Sequence, residues 1–213
     1  MAAVPLMIDL TEKNIIVIGG GSVAERRIRT VINNGAKLTV ISPKINQGIH
    51  ALWTEGCLDW KKKKAEAGDL DDAFLVIVAT NDVKVNETII QATPSNALIN
   101  NAADADEGNV AFPSFFNRGR LSISVSTNGA SPMLSAKIKN DLQAVYDNSY
   151  TDYVDFLHES RKLLKQTCLT KNEQRLFLKE ILSDKFQDTD NQNKLLKCLA
   201  DLSGGGKHNE RPE

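Results

Sequence analysis

Three carboxylates, Asp104, Asp106 and Glu107, crowd the stretch LINNAADADEG at residues 98–108, directly after an apolar run. Carboxylates so placed can take a proton from a substrate, cap a turn or helix, or bind a metal. No His or Cys lies near them in sequence, which speaks against a fixed metal site. Asp106 and Glu107 precede Gly108 and read as a solvated turn. Asp104 is the chemical candidate, because it directly follows the apolar run and two alanines. A carboxylate desolvated beside a substrate is a competent base.

A second chemical signature lies near the N-terminus. The apolar run Asn14–Gly19 enters GGGSVAERR at 19–27, where Gly19, Gly21 and Ala24 fit G-x-G-x-x-A. The first small residue permits a tight turn, the second lets the backbone approach a pyrophosphate, and the third lets the helix pack on the sheet. The helix start at Ser22 and Val23 adds free N–H donors and the positive end of a dipole. With a strand before it and a helix after it, the loop points to a bound dinucleotide. The plainer alternative is a glycine-rich turn that binds nothing.

The acid that ordinarily holds the adenosine ribose at the end of the second strand is missing, and Ser42, Pro43 and Lys44 stand there. A Ser with a nearby Lys suits a 2′-phosphate, while Ser42 can equally donate to a ribose hydroxyl. NAD and NADP both stay open at this site. Thr80, Asn81 and Asp82 follow another apolar run and are placed to meet ribose or nicotinamide groups, and Asp82 can also cap the next helix. Arg26, Arg27 and Arg29 read as a solvated helix face, and Lys61–Lys64 as an exposed strand edge or loop. His50 and His158 read as surface or capping residues.

These groups need a scaffold. Asn14–Gly19, Lys37–Ser42, Phe74–Thr80 and Ala97–Asn100 are apolar on both faces, as strands of a parallel sheet covered on both sides are. Ser22–Asn34, with Val23, Ile28, Val31 and Ile32 on one face and Gly35 after it, reads as a crossover helix. Val83–Thr93, stopped near Pro94, reads as another. The alternation predicts an α/β domain, a doubly wound, Rossmann-like parallel sheet over residues 1–112. Beyond it, Arg120–Thr127 alternates like a strand with one wet face. Asn128-Gly129 makes a turn, then Ser131 and Pro132 open a helix striped by Leu134, Ile138, Leu142 and Val145. This α+β region, 113–147, is too small to bury its own apolar face and so invites a second copy. Residues 148–203 read as a small all-helical domain and 204–213 as a disordered tail.

The composition narrows the classes. A net charge of −1 gives no general pull toward nucleic acid or an anionic membrane. No apolar run approaches the roughly 18 residues of a bilayer span. MAAVPLMIDLTEK is too short in its apolar part, and too soon acidic, for a signal peptide. Three cysteines, Cys57, Cys168 and Cys198, are odd in number and far apart, which argues against a disulfide framework or a Cys-based zinc site. The expectation is a cytoplasmic protein with reduced thiols.

Four segments then line up with one family. GGGSVAERR at 19–27, ATNDVKVN at 79–86, NAAD at 101–104 and FPSFFNRGRLSISVSTNGASPMLSAKIK at 112–139 resemble precorrin-2 dehydrogenases, the sirohydrochlorin-forming module of siroheme synthases. The match covers about residues 8–147, and the NGASP segment with its spacing from NAAD makes it far more specific than the glycine loop alone. No methyltransferase domain follows, as in the free-standing form of the enzyme. The resemblance implies an NAD-binding Rossmann domain, a dimerisation region and a helical domain, and oxidation of precorrin-2 to sirohydrochlorin with hydride passed to NAD. Some relatives also insert ferrous iron. The family's motif Asp falls on Asp104, and its Ser-Gly-Gly-Thr-Ser-Pro stretch on Thr127, Asn128, Gly129, Ala130, Ser131 and Pro132. This chain departs from the stretch at Asn128, whose amide can hydrogen-bond a carboxylate.

The expected site is therefore Asp104 as base or substrate-orienting group. Gly19, Gly21, Ser22, Val23, Ala24, Ser42, Pro43, Thr80, Asn81 and Asp82 are expected around the nucleotide. Asn101, Arg118, Asn128, Gly129 and Ser131 are expected on the substrate side. Precorrin-2 is a polycarboxylate, so a helix start and cations near it fit. Two rival readings stand beside the dehydrogenase: a bifunctional enzyme that is also a ferrochelatase, and a non-catalytic NAD-sensing module. The sensor reading explains the glycine loop but not NAAD or NGASP. No metal site and no macromolecular partner beyond a second copy, as a homodimer, is expected.

Overall fold

The computed structural model describes residues 4–104 and 107–204. Asp106 and most of the expected tail lie outside the described residues. The chain divides into two compact units, one ending at Phe112 and the other beginning at Pro113.

The first unit holds a five-stranded sheet in the order β3-β2-β1-β4-β5, made of Asn14–Ile18 (β1), Lys37–Ile41 (β2), Asp59–Lys61 (β3), Leu75–Val78 (β4) and Leu98–Asn101 (β5). Every pairing is parallel. Side chains alternate between the two faces, and both faces are apolar. Ile15 and Val17 of β1 share one face with Leu38, Val40, Leu75 and Ile77, under Ala24, Ile28 and Val31 of helix α1 (Ser22–Val31). Ile49 of helix α2 (Gln47–Thr54) is buried in the same cluster. Ile16 and Ile18 share the other face with Ile41, Val76 and Val78, against Leu70 and Ile89, the latter on helix α3 (Val83–Ala92). Each fully buried Ile or Val contributes about 1.5–3 kcal/mol, so the two layers fix the sheet. This is the doubly wound Rossmann arrangement expected from the sequence.

Local differences have physical causes. Helix α1 stops at Val31 rather than Asn34, with Ile32 as its C-cap, and Gly35 turns the chain with φ +70°. Val23 is not on the buried face but 37% exposed at the helix start. The Lys61–Lys64 run begins in the edge strand β3, where Lys61 and Lys63 both reach the Asp69 carboxylate, at 3.6 and 2.9 Å. Arg27 is not on a solvated face. It is half-buried, its guanidinium sits 5.2 Å over the Phe112 ring, and its Nε has no hydrogen-bond partner among the described residues. Burial, with Arg26 nearby, pulls its pKa down.

The second unit opens with an antiparallel hairpin, Ser114–Arg118 (β6) and Leu121–Val125 (β7). Helix α4 (Pro132–Val145) packs on it. Ser131 caps α4 by accepting the Leu134 N–H at 3.2 Å, and Pro132 takes the first turn. The apolar stripe of α4 stays largely uncovered in the single chain: Leu134 is 48% exposed, Ile138 36% and Val145 65%, with Leu142 partly buried. Helices α5 (Ser149–Leu164), α6 (Lys171–Glu180) and α7 (Thr189–Gly204) follow. Tyr153, Phe156, Ile181 and Phe186 form their core, and the Tyr153 hydroxyl donates to the Ile181 carbonyl at 3.1 Å.

Candidate functional site

Because all strands of the first unit are parallel, their carboxyl ends share one edge, where open α/β sheets take ligands. Gly19–Ala24 leave β1, Ser42–Lys44 leave β2, Thr80–Asp82 leave β4 and Ala102–Asp104 leave β5. The nucleotide and NAAD candidates of this unit are thereby gathered on one edge.

The glycine loop is closed on two sides and open on one. Gly19 has φ +120°, and a Cβ there would stand 2.3 Å from the Ala79 carbonyl oxygen. A Cβ on Gly20 would stand 2.0 Å from the Lys44 carbonyl oxygen, a constraint that the G-x-G-x-x-A pattern does not express although the Gly-Gly-Gly run carries it. A Cβ on Gly21 would meet nothing within 4 Å, and Gly21 provides no side-chain cap for α1. Ser22 and Val23, the first residues of α1, are exposed at the positive end of the helix, where the first N–H groups have no partner within the helix. A dinucleotide pyrophosphate fits that cradle.

At the end of β2, Ser42 is 8% exposed and fully engaged. Its hydroxyl donates to the Lys44 carbonyl at 2.7 Å, its N–H to Lys61 O at 3.2 Å, and its carbonyl accepts the Trp60 indole N–H at 2.9 Å. The hydroxyl proton is therefore used inside the loop rather than offered to a ribose. Pro43 and Lys44 remain exposed. Asn46, unflagged by type alone, ties this loop down. Its N–H donates to Gly20 O at 2.8 Å, its side chain accepts the Ile49 N–H at 2.9 Å and donates to Glu25 at 2.7 Å. An Asn just ahead of IHAL is the capping signal that could have revealed it.

At the end of β4, Asp82 caps α3, accepting the Lys84 and Val85 N–H groups at 3.1 and 3.3 Å. Thr80 is half-buried, and Asn81 is exposed.

At the end of β5, Asp104 is exposed, and its carbonyl accepts the Glu107 N–H at 3.4 Å. Asn101 is 3% exposed, and both ends of its amide are taken within the loop. It donates to Glu107 at 2.9 Å and accepts the Ala103 N–H at 3.0 Å. It therefore braces the Asp104 loop instead of facing a substrate, and Glu107, although exposed, is part of that brace rather than idle in water. Asn100 behind it donates to Val110 O at 2.9 Å while its Oδ1 is buried without a partner among the described residues. Among the described residues, no group of three His, Cys, Asp or Glu side chains could hold a metal ion.

The remaining candidates lie in the second unit. Asn128 and Gly129 are exposed at the β7–α4 turn with φ +49° and +85°, a left-handed backbone that Gly and Asn accept readily. Thr127 holds that turn, accepting the Ser131 N–H and meeting the Ser135 hydroxyl, each at 3.1 Å. Arg118 has a structural job, donating to Tyr146 O at 3.2 Å and Asn117 O at 3.0 Å with its guanidinium 5.2 Å over Phe116. Two of its donors are thereby occupied.

Comparison with known proteins bears on the whole chain. Residues 6–114 match a family model described as putative NAD(P)-binding, 118–144 one described as sirohaem biosynthesis protein central, and 150–195 the SirC C-terminal domain. The precorrin-2 dehydrogenase of Priestia megaterium is 40% identical over 85% of this chain and 90% of its own length. That of Bacillus subtilis is 36% identical over 74% of this chain and 98% of its own. The siroheme synthase of Actinobacillus pleuropneumoniae is 26% identical over 100% of this chain but only 44% of its own length. A solved structure titled SirC, precorrin-2 dehydrogenase superposes with a TM-score of 0.82 at 36% identity, covering 93% of this chain and 100% of that one.

Proposed function

The chain belongs to the precorrin-2 dehydrogenase family, and from that premise we propose that it oxidises precorrin-2 to sirohydrochlorin in siroheme synthesis, with NAD as hydride acceptor. The observation that carries this reading is the shared carboxyl edge, which sets an open pyrophosphate cradle at β1 and a carboxylate at β5 on either side of the β4 turn.

The oxidation takes one hydrogen from the tetrapyrrole as hydride and a second as a proton. Bound NAD supplies the acceptor for the hydride. The chain's own groups bind, orient and take the proton. Gly19, whose N–H donates to the Ile41 carbonyl at 3.1 Å, makes the tight turn, and Gly21 and the first turn of α1 hold the diphosphate through backbone N–H groups. Asp104 receives the proton on a carboxylate oxygen, in a loop held by the Asn101–Glu107 hydrogen bond. Asn128 and Gly129, before the start of α4, offer donors to substrate carboxylates, and Arg118 adds positive charge. Residues 113–147 act as the dimerisation region, supported by the uncovered stripe on α4, and 148–203 as a helical domain. Among the described residues the three cysteines are free and no helix is long and apolar enough to cross a membrane; the proposed setting is the cytoplasm and the proposed assembly a homodimer.

The test is an anaerobic assay with purified protein, enzymatically made precorrin-2 and NAD, following nicotinamide and tetrapyrrole spectra together. NADH and sirohydrochlorin are expected to appear in step. Measurable nucleotide binding with no turnover would return the chain to the sensor reading.

A further inference from the structure

Two side chains suited by type to touch the nucleotide, Thr80 and Asp82, are already engaged with the protein. The Thr80 hydroxyl donates a hydrogen bond to Asn86 Oδ1, lies 3.2 Å from the Asp82 carbonyl and accepts the Asp82 N–H at 3.1 Å. Asp82 caps α3 with the oxygen that receives two N–H groups. Asn86, on the first turn of α3, is 3% exposed. Its amide is directed at Thr80 from both ends, since Nδ2 donates to the Thr80 carbonyl at 3.2 Å. A buried amide is costly unless both ends are bonded, and an apolar side chain would pack beside Ile89 without that requirement. The hydrogen bonds of Asn86 therefore serve one thing, the shape of the 80–82 turn. That turn abuts the glycine loop, where a Cβ on Gly19 would strike the carbonyl of Ala79. Asn81, at its apex, is exposed and hydrogen-bonded to no described residue.

We infer that Asn86 is a positioning residue that clamps Thr80, and that Asn81, not Thr80 or Asp82, is the side chain of this turn that meets the nucleotide. The inference rests on the nucleotide reading above but not on the tetrapyrrole. The sequence contains both asparagines in ATNDVKVN, yet only the buried partners separate their tasks.

The experiment is titration of the full chain with NAD and NADH, without precorrin-2, alongside thermal melting. Asn86→Leu is expected to weaken NAD binding about tenfold or more while the protein still melts cooperatively. The cost of Asn81→Ala is expected to shrink in the Asn86→Leu background, because the apex is no longer held in register. A residue serving stability alone would lower the melting temperature and leave the affinity of folded protein unchanged. If Asn86→Leu fails to fold, Asn86→Asp keeps the shape and the acceptor for Thr80, removes the donor, and carries the same expectations. NAD affinity within about twofold of wild type in a folded Asn86 variant overturns the inference. So does an equal cost of Asn81→Ala in both backgrounds. Intact NAD binding with no precorrin-2 turnover would count against the dehydrogenase and leave this inference standing. No NAD binding by the wild type would remove both.

Discussion

Glu25 on α1 and Asn46 ahead of α2 are joined by a 2.7 Å hydrogen bond across two crossover helices. The same carboxylate receives Arg29 at 2.8 Å, and the same asparagine caps α2 and holds Gly20 through its backbone. The glycine loop and the β2–α2 loop are thus one hydrogen-bonded assembly.

Asn46→Ala removes the α2 cap and the link to Glu25 together. A cap alone contributes about 1 kcal/mol. Both the melting temperature and the further rise in it on adding NAD should fall, because the backbone that cradles the pyrophosphate loses its support. A lower melting temperature with an unchanged NAD-induced rise would restrict Asn46 to capping.

The Arg29 guanidinium first, and the Asn46 amide second, hold the Glu25 carboxyl below its ordinary value of 4.5. A carboxylate whose folded pKa is lowered stabilises the protein above its unfolded pKa and loses that contribution as pH falls through the folded value. Wild type should therefore melt higher than Glu25→Gln at neutral pH, with the gap closing as the pH drops below 4.5. A gap independent of pH would show that shape, not charge, matters there.

Adjacent glycines should answer differently to alanine. Gly20→Ala drives a Cβ into the Lys44 carbonyl and should cost roughly 1–3 kcal/mol of stability. Gly21→Ala meets only open space and should leave stability within about 0.5 kcal/mol while weakening NAD binding. Melting and nucleotide titration on the two variants decide it; loss of stability at Gly21 would mean that the loop, rather than a ligand, excludes the side chain.

Asp104→Asn keeps size and polarity and removes the base. The turnover number should fall about 10²–10⁴-fold, the usual contribution of a positioned base, with NAD affinity unchanged. An unaltered rate would take Asp104 out of the chemistry.

The stripe on α4 predicts the assembly state. Ile138→Asp places a charge on the stripe of Leu134, Leu142 and Val145 and should shift sedimentation from dimer to monomer. A wild-type monomer at micromolar concentration would refute the dimer outright.

The core of the sheet is legible in the sequence because β1, β2 and β4 are apolar on both faces, a pattern few other elements share, whereas β5 adds only Leu98 to one layer and buries two asparagines. Strand β3 is not legible: Asp-Trp-Lys is three residues long and polar at both ends, as an edge permits. Helix α2 fully buries Ile49 alone, so its period is faint. In the hairpin, SFFNR buries Phe116 and leaves Phe115 exposed, which gives β6 little signal beside polar ends. At the site, residue types that act through backbone shape, Gly19, Gly21 and Ala24, can be read directly. What cannot be read is which polar atoms the fold has already claimed. Ser42, Asn101 and Arg118 look like ligand groups by type, yet their hydrogen bonds run to Lys44, Glu107 and Tyr146. Those partners are set by the path of a loop or, for Tyr146, lie beyond a whole helix, and residue type carries no record of them.

Trp53 and Trp60 are the chain's two tryptophans, and their rings meet edge to face with centroids 5.4 Å apart. Trp60 is the residue whose indole holds the Ser42 carbonyl at the end of β2, beside the glycine loop. All indole fluorescence therefore arises in one corner of the first unit. Its emission overlaps the absorption of reduced nicotinamide, so the protein carries a built-in optical gauge that distinguishes NADH from NAD as each binds, with no label attached.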